Sequence, residues 1–312
     1  MPKYDIITFG DMCVDLIING SDVVPEFGQV EKLVGDYILE MGGSSCIFAC
    51  QSARLGLRVG ILGRVGRDSF GELVLARLRE CGVDTDLVIV DPTLKTGLGI
   101  ALCTEEGDRA ILTYLGSINA IAPEDVTDDI LASARHLHHG SYFLHTRLRP
   151  HIPHIFSRAR RLGLTISLDT NWDPDDAWGA EVQALLPQTD IFMPNEAEAL
   201  RIAGAPGLEE ALARLRVLGA NVVTIKRGSR GALVSDRQQV IRQQVEPVTG
   251  GDSIGAGDSF DAGFLAGWLR GRSLEESLRI GCACGRSVAA QIGGLAGQPS
   301  WNHISHSSRS IS

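Results

Sequence analysis

Short runs rich in β-branched residues alternate with stretches of helical period along most of this chain, and that alternation restricts it to few architectures. Asp5 to Phe9 reads as a strand, 44–55 as a helix, 58–63 (RVGILG) as a strand, and 68–80 as a helix. In the last of these Phe70, Leu73, Val74 and Leu78 recur close to every third or fourth position, which gathers them on one helical face. The second half repeats the pattern with strand 136–143, helix 151–162, strand 164–169, strand 190–193, helix 195–203, helix 208–218 and strand 221–226. Strands separated by helices of this length must return to the same edge, so they pair in parallel and carry helices on both faces. The expected fold is a doubly wound α/β domain with a mostly parallel sheet, occupying residues 1–300.

Two segments break the rhythm. Residues 12–41 and 86–115 read as short strands and turns without a convincing helix, and TEEGDR (104–109) would join LGIALC to AILTYL as a hairpin. Such excursions can meet as a small separate sheet, serving as a lid or a dimer surface, or can be extra edge strands. From residue 301 the chain is polar and Ser-rich, and a frayed tail is expected there.

Charge and cysteine usage narrow the function classes. With 29 Lys+Arg against 38 Asp+Glu the 312-residue chain carries a formal charge of −9, which disfavours a nucleic-acid partner held by displaced counterions. No run approaches the roughly 20 apolar residues that span a bilayer, and the apolar run before Gly10 is too short for a secretory signal, so no membrane partner is expected. Seven scattered cysteines form no disulfide framework, and cytoplasmic residence with reduced thiols is expected.

The densest chemical signal lies between Gly250 and Gly271. Phe260, Phe264, Leu265, Trp268 and Leu269 have helical spacing, so Gly255, Ala256 and Gly257 form the turn that opens a helix. Backbone N–H groups at such a turn attract an anion, phosphate above all, with help from the helix dipole. Asp258 follows at once, placed to act as a base or orienter for an attacking hydroxyl, or simply to cap the helix. The dipole is expected to lower its pKa. No GxxxxGK[ST] occurs, and Phe260 occupies the place of the third glycine of a dinucleotide fingerprint. Gly251 to Gly255 also matches GxSxG around Ser253, the nucleophile elbow of serine hydrolases, but only His303 and His306 follow it.

The ordered segments GGSSCIFACQSARLG (42–56), NEAE (195–198), KRGSRG (226–231) and DSIGAGDSFDAGF (252–264) resemble the ribokinase family of sugar and nucleoside kinases, the PfkB carbohydrate kinases. The resemblance runs to about residue 298 and implies a ribokinase-like sheet with a β lid drawn from the two excursions, often the dimer contact. It implies transfer of the γ-phosphoryl of ATP to an acceptor hydroxyl, with Asp258 as catalytic base and Gly255, Ala256 and Gly257 as anion hole. Lys226, Gly228, Gly231 and Asn195 would face the nucleotide, and Glu198 the Mg²⁺ with its waters; a monovalent cation is used in parts of the family. A helix start capped by Asn195 would explain NEAE equally simply. Asp11, Asp15 and Asn171 would meet the acceptor, and Gly42 and Gly43 would be the lid hinge, with Asp169 a weaker candidate. The small-molecule acceptor would be a sugar or sugar acid, with a nucleoside, or a silent sensor of either ligand, as alternatives. Ile47 departs from the family pattern, which has an acceptor-binding Asn there. Six of the eight histidines fall in 136–154, where His136 and His138 share a strand face, and packing is preferred to zinc binding.

Overall fold

The β-branched runs pair into the mostly parallel sheet that the alternation predicts. The computed structural model describes residues 2–104 and 109–307. In chain order the strands are β1 (Tyr4–Phe9), β2 (Cys13–Asn19), β3 (Asp36–Gly42), β4 (Val59–Gly66), β5 (Val88–Asp91), β6 (Gly97–Cys103) and β7 (Arg109–Tyr114). They continue with β8 (Ala134–His139), β9 (Thr165–Leu168), β10 (Ile191–Phe192), β11 (Val222–Lys226), β12 (Ala232–Ser235) and β13 (Val240–Gln243). The central sheet has the order β13-β12-β11-β10-β9-β8-β1-β4-β5. Every pair from β11 across to β5 is parallel, while β12 and β13 run antiparallel at one edge. That edge is a hairpin the sequence hides, because its turn contains no glycine. Asp236 closes it by accepting from the N–H groups of Gln238 and Gln239, both at 2.8 Å.

Helices cover both faces. Ile152–Arg161, Glu196–Ala203 and Leu208–Val217 pack over one apolar layer that includes Phe9, Leu137, Phe156 and Phe192. Ser44–Arg54, Ser69–Glu80, Ala256–Trp268 and Leu274–Ala289 pack over the other, around Ile6, Phe48, Ile61 and Phe264. A parallel strand buried on two faces needs apolar residues in succession rather than alternation, and Ile6, Ile7 and Phe9 of β1 are all fully buried.

The two excursions do form one separate sheet, of order β3-β2-β6-β7. Along β6 burial alternates strictly, with Gly97, Gly99, Ala101 and Cys103 turned inward, as expected when one face covers a cavity. Residues 88–91 depart from the expected lid: β5 pairs with β4 in the central sheet. Strands β6 and β7 pair antiparallel from Leu98↔Tyr114 to Cys103↔Arg109, while residues 105–108 of the expected turn lie outside the described residues. Residues 301–307 also differ from the expected frayed tail, while 308–312 lie outside the described residues. Trp301–Ser307 is a helix, with Ile304 buried and the Arg270 guanidinium 4.1 Å from the Trp301 ring. A buried apolar contact and a cation over an indole outweigh the polar composition around them. No helix among the described residues is long and apolar enough to cross a membrane.

Candidate active site

Parallel strands end at one edge of the sheet, and the polar residues that follow them converge there. Asp11 follows β1, Ser141 follows β8, Asp169 and Asn171 follow β9, Asn195 follows β10, and Lys226 ends β11. They line one cavity of about 1120 Å³ together with the lid and the helix Ala256–Trp268, Ser141 alone standing just behind the wall. Asp11 organises one end of it. Its buried carboxylate accepts from the N–H groups of Ser44 (2.9 Å) and Ser45 (2.8 Å) and from the Ser141 hydroxyl (2.5 Å). The carboxylate thus sits on the N-terminus of the helix Ser44–Arg54, a position that its charge stabilises.

That helix starts from Gly43, whose φ of 87° lies in the left-handed region. A side chain at Gly43 would collide with the Asp11 carbonyl, and one at Gly42 with the Asp15 carboxylate. The diglycine therefore lets lid and core strands approach Asp11 and Asp15 closely, whatever freedom it also gives the lid. Asn171 is held at a φ of 57°, uncommon for a residue with a side chain, and its Nδ2 donates to Ser44 Oγ (2.8 Å) and Ser141 Oγ (2.9 Å). Asp15 shares the lid's inner surface with Gly99, its register partner.

At the cavity's centre Gly255 adopts a φ of 71° and precedes the helix Ala256–Trp268. The first turn of a helix leaves its N–H groups without intrahelical acceptors, so those of Gly257 and Asp258 are available to an anion. Lys226 stands beside this turn: a Cβ on Gly257 would lie 3.7 Å from its Nζ. The ammonium group is not a free cation, however. It donates to Asp169 (2.8 Å) and to Asp261 (3.0 Å), both buried, with the Lys226 side chain itself only 13% exposed. Burial opposes charge on Lys226, but Asp169, Asp261 and Glu198 hold its pKa above the ordinary lysine range. Burial likewise opposes the Asp169 carboxylate, which Lys226 holds below the ordinary range, whereas Asp261 is pushed well up by burial first and also by Asp169, with Lys226 opposing.

One cation among this many carboxylates leaves the others short of compensation. The Asp258 pKa is pushed up to about 8, by burial first and then by the charge of Asp169, with Lys226 and the Ser44 hydroxyl opposing. This reverses the expectation of a lowered value: withdrawal from water and a neighbouring anion outweigh the helix dipole, whose reach is about one turn. A carboxylate near 8 is a far better proton acceptor than one near 3. Glu198 is raised to about 7, again by burial and then by Asp169.

The Asn195 segment realises the capping arrangement and faces the cavity as well. Asn195 Oδ1 accepts from the Glu198 N–H (2.9 Å), and the Glu198 carboxylate accepts from the Asn195 backbone N–H (2.8 Å) and from its Nδ2 (2.6 Å). Both residues line the cavity. Beyond them Gly228 and Gly231 turn the chain from β11 into β12, and Val245, Pro247, Val248, Cys282 and Ala289 line the cavity together with Glu246 and Arg286.

Comparison with known proteins covers nearly the whole chain. The description "pfkB family carbohydrate kinase" matches residues 3–301. The chain belongs to the pfkB family of carbohydrate kinases. Among pfkB relatives, the 2-dehydro-3-deoxygluconokinase of Bacillus subtilis is 28% identical over 310 residues, 95% of this chain and 93% of that protein. An E. coli chain assigned as a ribokinase II, solved with ATP and Mg²⁺, superposes with a TM-score of 0.86 at 25% identity, covering 98% of this chain and 99% of its own. The adenosine kinase of Sinorhizobium meliloti gives a TM-score of 0.85 at 26% identity, covering 98% and 99%.

Within the pfkB frame, several sequence signals acquire definite places. Ile47, the departure from the family pattern, is buried and packs against the anion turn: a Cβ on Gly255 would lie 2.9 Å from its Cγ2. It supports the turn from below instead of reaching for a hydroxyl. Ser253 does not sit on a nucleophile elbow, since no strand leads into it, and it lies in an exposed turn. His136 and His138 both face Ser167 Oγ (2.8 Å each), and His138 stacks on Phe48, so the pair is packed into the sheet. Among the described residues no group of three His, Cys, Asp or Glu is arranged to hold a metal by itself. Asp261 and Ser141 are the site residues that motif reading missed. Asp261 lies three positions after Asp258, on the same helix face, a spacing that could have exposed it. Ser141 lies in a turn with no motif and carried no signal.

Proposed function

We propose that this chain transfers the γ-phosphoryl group of ATP to a hydroxyl of a sugar or sugar acid. The observation that carries the reading is the position of Asp258, a carboxyl group raised to about 8 and lying on an anion-binding turn beside Lys226. The acceptor would lie between Asp11, Asp15 and Asn171, its hydroxyl toward Asp258, which takes the proton as attack advances. The N–H groups of the turn would hold the transferred phosphoryl, and Val245, Val248 and Ala289 on the cavity wall offer apolar surface to an adenine ring.

The donors present fit Mg²⁺ bound through waters and phosphates, the usual manner for this ion, with Asn195 and Glu198 on the wall. Glu198 and Asp258 are raised by burial first and then by the charge of Asp169, and a divalent cation would favour their ionised forms. Bound there, the ion supplies neutralisation of the phosphate oxygens.

At the acceptor end Asp11 and Asp15 stand among Ile111, Ile118, Leu144 and Trp172. Carboxylates there attract hydroxyl donors and repel anions, which favours uncharged sugars over sugar acids. A nucleoside is the second reading, favoured by Trp172, 50% exposed on the cavity wall and offering a stacking surface. Release of ADP across a panel of sugars, sugar acids and nucleosides tests these together. Turnover of a sugar is the expected result, and ATP binding without turnover of any acceptor would replace the kinase with a sensor.

The outer lid supports a homodimer. Tyr37 and Leu39 of β3 and Leu112 and Tyr114 of β7 are exposed, between 37% and 66%, as is Leu33 at 92%. Apolar surface of this extent is rarely left to water. The solution mass should be twice that of the 33.5 kDa chain, falling when Leu112 and Tyr114 are replaced by Ser and Lys.

A further inference from the structure

Of the seven thiols, six are buried and only Cys81 is partly open to solvent. Buried thiols in apolar surroundings are inert, and for Cys13, Cys46, Cys282 and Cys284 burial raises the pKa further. Cys81 differs in its neighbours. It caps the C-terminal end of the helix Ser69–Glu80, and its Sγ lies 3.7 Å from Arg54 Nη2 on the adjacent helix. Arg54 is four residues after Cys50, so the two occupy one face of the helix Ser44–Arg54, turned toward Cys81. Cys81 packs against the buried cluster that contains Cys50, and the two thiols shift each other's pKa, Cys50 up and Cys81 down. A guanidinium and a second, shielded thiol thus neighbour one accessible sulfur. Neither cysteine lines the active-site cavity.

We propose that Cys81 and Cys50 form an oxidation site, in which Cys81 is the sulfur attacked by a small hydroperoxide and Cys50 is its resolving partner. The thiolate of Cys81 attacks one peroxide oxygen, the O–O bond breaks, and hydroxide leaves and takes up a proton to become water. The sulfenic acid so formed is then attacked by the Cys50 sulfur. An S–S bond forms, the S–O bond breaks, and a second water departs with the Cys50 proton. Overall two thiols lose two electrons and one peroxide becomes two waters. The neighbouring Cys50 thiol and then Arg54 stabilise the attacking thiolate, against burial and the charge of Glu80, so that the Cys81 pKa is lowered to about 6. Recognition needs no pocket beyond access to one sulfur, which suits hydrogen peroxide and little that is larger.

The experiment is thiol counting and peptide mapping after treatment with equimolar hydrogen peroxide. Loss of two thiols, a mass decrease of about 2 Da and a Cys50–Cys81 cross-linked peptide are expected. Cys50→Ser should stop at a Cys81 sulfenic acid, trapped by a 1,3-dicarbonyl probe. Arg54→Ala, an exposed substitution that leaves both sulfurs in place, should slow alkylation of Cys81 by iodoacetamide at pH 7 by about tenfold. An unchanged thiol count, a disulfide elsewhere, or an alkylation rate indifferent to Arg54 would overturn the assignment.

Discussion

Asp258→Asn is expected to lower the turnover number by about 10²–10⁴, the usual loss when a positioned base is removed, while the affinity for ATP changes little. Asn keeps the shape and still hydrogen-bonds, so loss of proton acceptance is isolated from loss of packing. The pH dependence follows from the same group. In the free protein its pKa is about 8 in place of the ordinary 3.8, so kcat/KM should climb with pH and level off above about 8. Glu198, near 7, titrates in the same window and is coupled through Asp169, so the midpoint belongs to the cluster.

Stability should move in the opposite direction. The folded state holds the Asp258 proton more tightly than the unfolded chain, so between about pH 4 and pH 8 folding carries a proton that unfolding releases. Stability contributed by that group is complete below the unfolded value and is lost as pH rises through 8. Asn cannot ionise and escapes the loss. The variant should therefore melt at a higher temperature than the natural protein at pH 8 and at a similar one at pH 4, by calorimetry. If Asp258 served only as a helix-terminal anion, the variant would melt lower at pH 8, with turnover near normal.

The doubly wound sheet was legible because parallel strands buried on two faces must be apolar throughout, and Asp5 to Phe9 and 221–226 declare themselves that way. The lid was legible as a failure of helical period in 12–41. The hairpin β12–β13 was not, since an Asp side chain closes its turn and no glycine marks it. The helix Leu274–Ala289 was overlooked although Ser273 and Glu276 form a capping box in plain view. In the site, helical spacing pointed to Gly255 and Asp258 at a helix start, and the family resemblance pointed to Asn195 and Lys226. Neither could give the charge balance. Whether Lys226 is free or paired depends on Asp169, 57 residues away, and Asp261, 35 away, which only the fold brings together. The same proximity raises Asp258, so the local helix-dipole argument gave the wrong sign.

That dependence on one cation sets the second large expectation. Lys226→Met removes the charge between two buried carboxyl groups, with Lys226 13% exposed and its partners at 5% and 1%. Asp169 would then be buried without compensation, a loss of about 3–5 kcal/mol when one member of a buried pair is deleted. Asp261→Asn should cost far less, on the order of 1 kcal/mol or below, because burial already pushes the Asp261 carboxyl toward its neutral form and the amide can still hydrogen-bond. Urea unfolding at pH 7 distinguishes the two. Equal losses would mean that Asp261 is ionised and shares the lysine charge with Asp169. The methionine variant has a further signature in its residual activity. Lys226 opposes the upward shift of both Asp258 and Glu198, so without it both titrate at higher pH. The rise of kcat/KM should move to higher pH accordingly, which loss of packing alone would not produce.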